Sequence, residues 1–300
     1  MTRTWRVQGV LALAAGLALA AGPIPAAKPG AADSGPVQIG LVRTMFRDVP
    51  EAMFGVMAKP FNRLMAEQTG MAGEVTLAAD AEALARQIDQ GHTHLGVFQG
   101  YEFAWVRQKY PNLQPLVIAV GKQRKPTALL VVRTDSAIDG LAALKGRTVA
   151  LAKGTKEYCR LFLDRRGPQG DGCTPKLSEP ASIEDALDDV VDGQAEATVV
   201  DGASLDCFRT LKPGRAAKLK VAATSEPFPA AVVAYRRGEL DPAVLQKFER
   251  GLVTANRTRQ GLNLLGLWRL QGFEQPPADY EQHLADTLKA YPPPDSPCPK

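Results

Sequence analysis

This 300-residue chain is short of aromatics, at 6%, and carries only three histidines and four cysteines. Its charge is nearly balanced: the formal net charge is +4, and removing an N-terminal leader that holds Arg3 and Arg6 and no acid leaves about +2. A balance this weak argues against a nucleic-acid partner. His92 and His94 are two apart and lack a third ligand nearby, and His283 has no companion, so no metal site is expected. The four cysteines have no zinc-type spacing. No nucleotide-phosphate loop, Ser-His-Asp arrangement or pair of catalytic carboxylates stands out, so neither a cofactor nor an enzyme is expected. Beyond the first residues there is no apolar run long enough to span a bilayer.

What is present begins with a targeting signal. Arg3 and Arg6 form a positive region, Val10–Ala21 is apolar or glycine, and small residues follow at Ala18-Leu19-Ala20 and again at Pro25-Ala26-Ala27. Residues 1–27 are therefore expected to be a cleaved signal peptide and the mature protein to be soluble outside the cytoplasm. The absence of cysteine here argues against a lipid anchor. In an exported chain an even cysteine count favours disulfides. The topology favours Cys159 with Cys173, leaving Cys207 with Cys298; free buried thiols are the alternative.

The rest alternates strand and helix. Strands are expected at Val37–Val42, Glu74–Ala78, Leu95–Phe98, Leu116–Val120, Ala128–Val132, Thr148–Leu151, near Lys176-Leu177, and at Thr198–Val200, Leu219–Ala223 and Ala231–Tyr235. Helices are expected over Glu51–Gln68, with Pro60 imposing a kink or break, and over Ala81–Gln90, Thr155–Arg165, Ile183–Val191 and Ala203–Leu211. The C-terminal third reads as helical. The alternation predicts a three-layer α/β fold with a mainly parallel sheet.

In such folds ligands meet strand ends and helix starts. Gly154, Thr155, Lys156 and Glu157 open a helix after the Thr148–Leu151 strand. Thr155 serves either as N-cap or as ligand donor. Lys156 adds a charge. Glu157 would repel a bare dianion and would suit an anion that also bears an amine; otherwise it complements the helix dipole. Asp201 ends an apolar strand and either accepts from a ligand or caps the next helix. Arg43 and Thr44 follow the first strand, where Arg43 would grip an oxyanion or remain a surface charge. Gln99, Gly100 and Tyr101 follow the third, with Gly100 allowing close approach of a ligand and Tyr101 stacking on it or packing.

The order Asp135-Ser136, then Leu141–Ala150, then Gly193–Asp201, then Ser225-Glu226-Pro227-Phe228-Pro229 resembles the phosphate/phosphonate-type substrate-binding proteins of ABC importers, from about Val37 to about His283. The resemblance implies a type II periplasmic-binding-protein fold with two α/β lobes and two hinge crossings. Residues 36–132 plus 228–300 would form the first lobe and 133–227 the second. It also implies a small anionic or zwitterionic ligand, an ABC permease as partner, and a monomer. The family's run of hydroxyls before the second-lobe helix is reduced here to Thr155. The rival readings are a fold-related enzyme acting on small carboxylates and a ligand-presenting sensor.

Overall fold

Each strand's alternation assigns its side chains to two opposed cores. The structure is a computed structural model that describes residues 36–46, 49, 51–170 and 174–294. In the first half, β1 (Val37–Val42), β2 (Gly73–Ala78), β3 (Leu95–Phe98) and β4 (Leu113–Gly121) belong to one sheet. The second half holds β5 (Ala128–Arg133), β6 (Thr148–Ala150), β7 (Lys176–Ser178), β8 (Ala197–Asp201) and β9 (Leu219–Thr224), ordered β7-β6-β8-β5-β9. The chain then returns through β10 (Val232–Arg236) and β11 (Leu270–Glu274), completing the first sheet as β11-β4-β10-β3-β1-β2.

Both faces of each sheet are covered. On β4, Val117 and Ala119 enter one core while Ile118 and Val120 enter the other, as a period of two requires. Helices α1 (Glu51–Thr69), and later α8 (Pro242–Val253) and α9 (Arg259–Leu267), supply Phe61, Phe248 and Leu264 to the first of these cores. Helices α2 (Ala81–Asp89), α3 (Gly100–Lys109) and α10 (Tyr280–Ala290) supply Leu84, Phe103 and Leu284 to the other. Around the second sheet, α4 (Glu157–Arg166) covers one face, and α5 (Ile183–Asp192) and α6 (Gly202–Leu211) the opposite one; a short α7 (Pro213–Ala216) follows. Side-chain caps fix several starts: Asp80 accepts from Ala83 N–H, and Ser182 from Asp185 N–H.

The three-layer architecture is the one the alternation predicts, but the sheets are mixed rather than mainly parallel. Strands β1–β2, β1–β3, β6–β7 and β6–β8 run parallel, whereas β10 and β11 pair antiparallel in the first sheet and β5 pairs antiparallel with β8 and β9 in the second. Strands buried on both faces read as continuous apolar runs in either direction. The C-terminal third is not wholly helical: β11 is an edge strand with a register shift between Leu270 and Gly272. Helix α1 runs through Pro60 without a break.

The first crossing also lies earlier than residue 132. Because β5 belongs to the second sheet, the chain crosses at 122–127 and returns between β9 and β10. The two crossings are joined: Phe228 N–H donates to the Pro126 carbonyl at 2.8 Å, and Ser225 N–H to that of Ala128 at 2.9 Å. Cys159 (buried) and Cys207 (exposed) are free thiols. The expected disulfides are thus not seen, and the other two positions, Cys173 and Cys298, lie outside the described residues, as does the leader 1–27.

Candidate functional site

A pocket of about 500 Å³ opens between the halves. From the first half it is walled by Thr44, in the short 3-10 turn after β1, and by Tyr101, Glu102 and Trp105 on α3. From the second it is walled by Glu157, Arg160 and Asp164 on α4, with Leu177 of β7 at one side.

Glu102 dominates the electrostatics. It lies in the first turn of α3 and is 4% exposed. The Thr44 hydroxyl donates to its Oε1 at 2.8 Å and the Gln99 N–H to its Oε2 at 3.3 Å. Burial nonetheless raises its pKa from 4.5 to about 7, because desolvation of the carboxylate outweighs those two bonds; Glu157 and Asp80 push the same way. Across the pocket, the Arg160 guanidinium donates to the carbonyls of Ala152 at 2.5 Å and Lys153 at 3.3 Å, pinning the turn before its own helix.

That turn removes one of the two readings of Thr155, the N-cap. Lys156 occupies the N-cap position of α4, its carbonyl accepting from Cys159 and Arg160, and its side chain makes no capping bond. Thr155 is buried one residue earlier and does not cap. Asp201, by contrast, caps α6: one carboxylate oxygen accepts from Ser204 N–H at 2.9 Å and the other from the Ser204 hydroxyl at 2.7 Å. Both its oxygens are engaged within the fold.

Of the residues singled out in the sequence, Thr44, Tyr101 and Glu157 are brought together in the pocket wall, and Gln99 supports Glu102 from behind. Arg43, Gly154, Thr155, Lys156 and Asp201 are not among its described lining residues. Tyr101 packs, its ring meeting Trp105 at 5.0 Å and Phe228 at 6.1 Å, and it also lines the pocket. Gly100 has a different purpose from the one expected. The backbone that approaches it is not a ligand but Pro229 and Ala230, whose carbonyl oxygens would lie 2.3 and 2.6 Å from an added Cβ. Gly100→Ala is therefore expected to cost about 1–3 kcal/mol by overpacking, measured by urea unfolding; an unchanged midpoint would show that α3 can move away from the crossing.

Glu102, Trp105 and Arg160 were missed. The signal for Glu102 was a carboxylate four residues past a buried strand and two past a glycine, a pattern that also suits a helix dipole. His94 accepts from Gln38 N–H at 2.9 Å, a bond within the fold. Among the described residues no group of three His, Cys, Asp or Glu is placed to hold a metal, and no helix is long and apolar enough to cross a membrane.

Residues 54–280 match the family described as ABC transporter, phosphonate, periplasmic substrate-binding protein. The chain belongs to this family. Solved structures agree on the fold. XAC2383 from Xanthomonas citri, bound to ATP, is 19% identical with a TM-score of 0.64, over 86% of this chain and 97% of that one. PhnD1 from Prochlorococcus marinus, in complex with methylphosphonate, is 12% identical with a TM-score of 0.57, over 84% and 97%. A binding protein component of an ABC phosphonate transporter from Pseudomonas aeruginosa is 16% identical with a TM-score of 0.56, over 86% and 88%. No curated protein matches the sequence. The phosphonate-binding family thus accounts for the fold: two α/β lobes joined by two hinge crossings, the type II periplasmic-binding arrangement.

Proposed function

We propose that this protein captures a small phosphonate-type anion that also bears an amine, between its two lobes, and passes it to an ABC permease. The observation that carries the reading is the pocket itself: about 500 Å³, with walls from both lobes. A ligand there touches one lobe in the open state and both when closed, so it stabilises closure by the contacts available only when shut.

The polarity of the walls argues for a zwitterion. Glu102, Glu157 and Asp164 outnumber Arg160, and a bare dianion would meet net repulsion. The anionic end is assigned to the first turn of α4, which Glu157 brings to the pocket wall and where the first N–H groups of a helix have no partner within it; Gly154, Thr155 and Lys156 lie outside that wall and take no part. Glu157 then takes the amine, and Thr44 and Tyr101 close the first-lobe side. Asp201, occupied by Ser204, and Arg43, outside the wall, have no part in this assignment. Residues 1–27 act as an export signal, the mature chain works as a monomer in the periplasm, and no nucleic acid or cofactor is needed.

Thermal unfolding against phosphate, methylphosphonate, 2-aminoethylphosphonate, sulfonates and amino acids tests this. ATP joins the panel because the Xanthomonas relative was solved with it. A ligand at a hundredfold its Kd adds about 2.7 kcal/mol, or about 5–10 °C for a protein of this size. The largest shift is expected from 2-aminoethylphosphonate, without turnover. A larger shift from phosphate or ATP would displace the zwitterion, and turnover of any of them would move the chain among enzymes of the same fold.

A further inference from the structure

Glu102 is a buried carboxylate in the wall of the pocket; its Oε2 closes the capping box of α3 by accepting from Gln99 N–H, a task that the neutral glutamine performs as well. We infer that the occupant of the pocket sets the protonation state of Glu102, the proton passing to or from solvent, so that an amine-bearing ligand is held more tightly as pH rises and an amine-free anion more tightly as pH falls. This deepens the reading above and rests on the pocket being the ligand site.

The geometry places the carboxyl where a ligand controls it. Glu102 lines the cavity from the first lobe, facing Glu157, Arg160 and Asp164 of α4. From behind, Asp80, at the start of α2, adds a second negative charge. Arg160 points to the carbonyls of its own turn. On α3, Arg107 is paired with Glu281 of α10 at 2.5 Å. No cation pairs with Glu102 among the described residues, and its two hydrogen bonds come from the neutral donors Thr44 and Gln99.

The carboxyl is therefore poised. With a pKa of about 7, its neutral and ionised forms are both populated near neutrality. An ammonium beside it favours the carboxylate and releases the proton to solvent. A dianion favours the neutral acid and takes one up. By linkage each affinity changes by up to about tenfold per pH unit, in opposite directions.

Calorimetric titration from about pH 5.5 to about pH 8.5 with 2-aminoethylphosphonate and with methylphosphonate, on wild type and Glu102→Gln, reads this directly. The probes' own ionisations are common to both proteins and cancel in the ratio of affinities. That ratio, wild type over variant, is expected to rise on the order of tenfold with pH for the aminophosphonate and to fall for methylphosphonate. Glutamine keeps the size and can still accept from Thr44. Thr44→Val removes a bond that favours the ionised form, so the transition moves to higher pH. Carbon-13 titration of the Glu102 carboxyl in the ligand-free protein gives an independent midpoint, expected near about 7. Measurable binding with a pH-independent ratio overturns the linkage, as does a carboxyl that titrates at the ordinary glutamate value. If no probe of the panel binds, the pocket reading falls and takes this inference with it.

Discussion

Phe228→Ala is expected to lower stability by about 4 kcal/mol, and the unfolding midpoint by about 8–16 °C. Phe228 sits on the second crossing and is 1% exposed. Its ring meets Tyr291 at 4.7 Å, Tyr158 at 5.3 Å and Tyr101 at 6.1 Å. Those rings come from the end of α10, from α4 and from α3, so one side chain joins both lobes and the hinge. Two further bonds hold the same cluster: the Trp105 indole donates to the Tyr291 carbonyl at 2.7 Å, and the Tyr291 hydroxyl donates to Glu226 at 2.5 Å. Removing the ring leaves a cavity that three elements, each anchored elsewhere, cannot fill together, which places the cost at the upper part of the usual range. Phe228→Leu should recover part of the loss. Urea unfolding of the two variants decides it: a loss under about 1 kcal/mol for the alanine variant would mean that the rings close over the gap.

The sequence readily showed which segments form strands, because a buried strand between turn residues has few alternatives; Leu95–Phe98 is observed with the bounds expected. Direction was not legible. Strands β4, β5 and β10 are apolar on both faces yet antiparallel to their neighbours, and side-chain pattern carries no sign of direction. Helix α3 was invisible for a related reason. Gly100, Tyr101, Glu102, Phe103, Ala104 and Val106 are all buried, so the helix has no polar face to set a period. At the site, strand ends and helix starts brought out Thr44, Tyr101 and Glu157. The role of Gly100 was misread because the backbone that crowds it comes from Pro229, more than a hundred residues along the chain. Glu102 escaped notice because its burial depends on Thr44 and on α4, both remote in sequence.

That same burial makes Glu102 expensive at alkaline pH. Its folded-state pKa lies at about 7, above the unfolded value of 4.5, so the folded protein holds the proton more tightly than the unfolded chain does. Stability from this group is whole below about pH 4.5 and is lost as pH rises through about 7. At about pH 8 the wild type must carry a desolvated carboxylate, and Glu102→Gln need not. The variant is expected to be more stable than wild type by about 3 kcal/mol at about pH 8, and to match it near about pH 4. Urea unfolding at the two pH values measures the difference. Equal stability at both would mean that water reaches the carboxylate and removes the penalty. A residue whose replacement stabilises the fold is one whose place is justified by function. At this position the function on offer is contact with whatever fills the pocket: an ammonium brought in by the ligand would neutralise the same charge that costs the empty protein its stability, and part of the free energy of binding would come from relieving it.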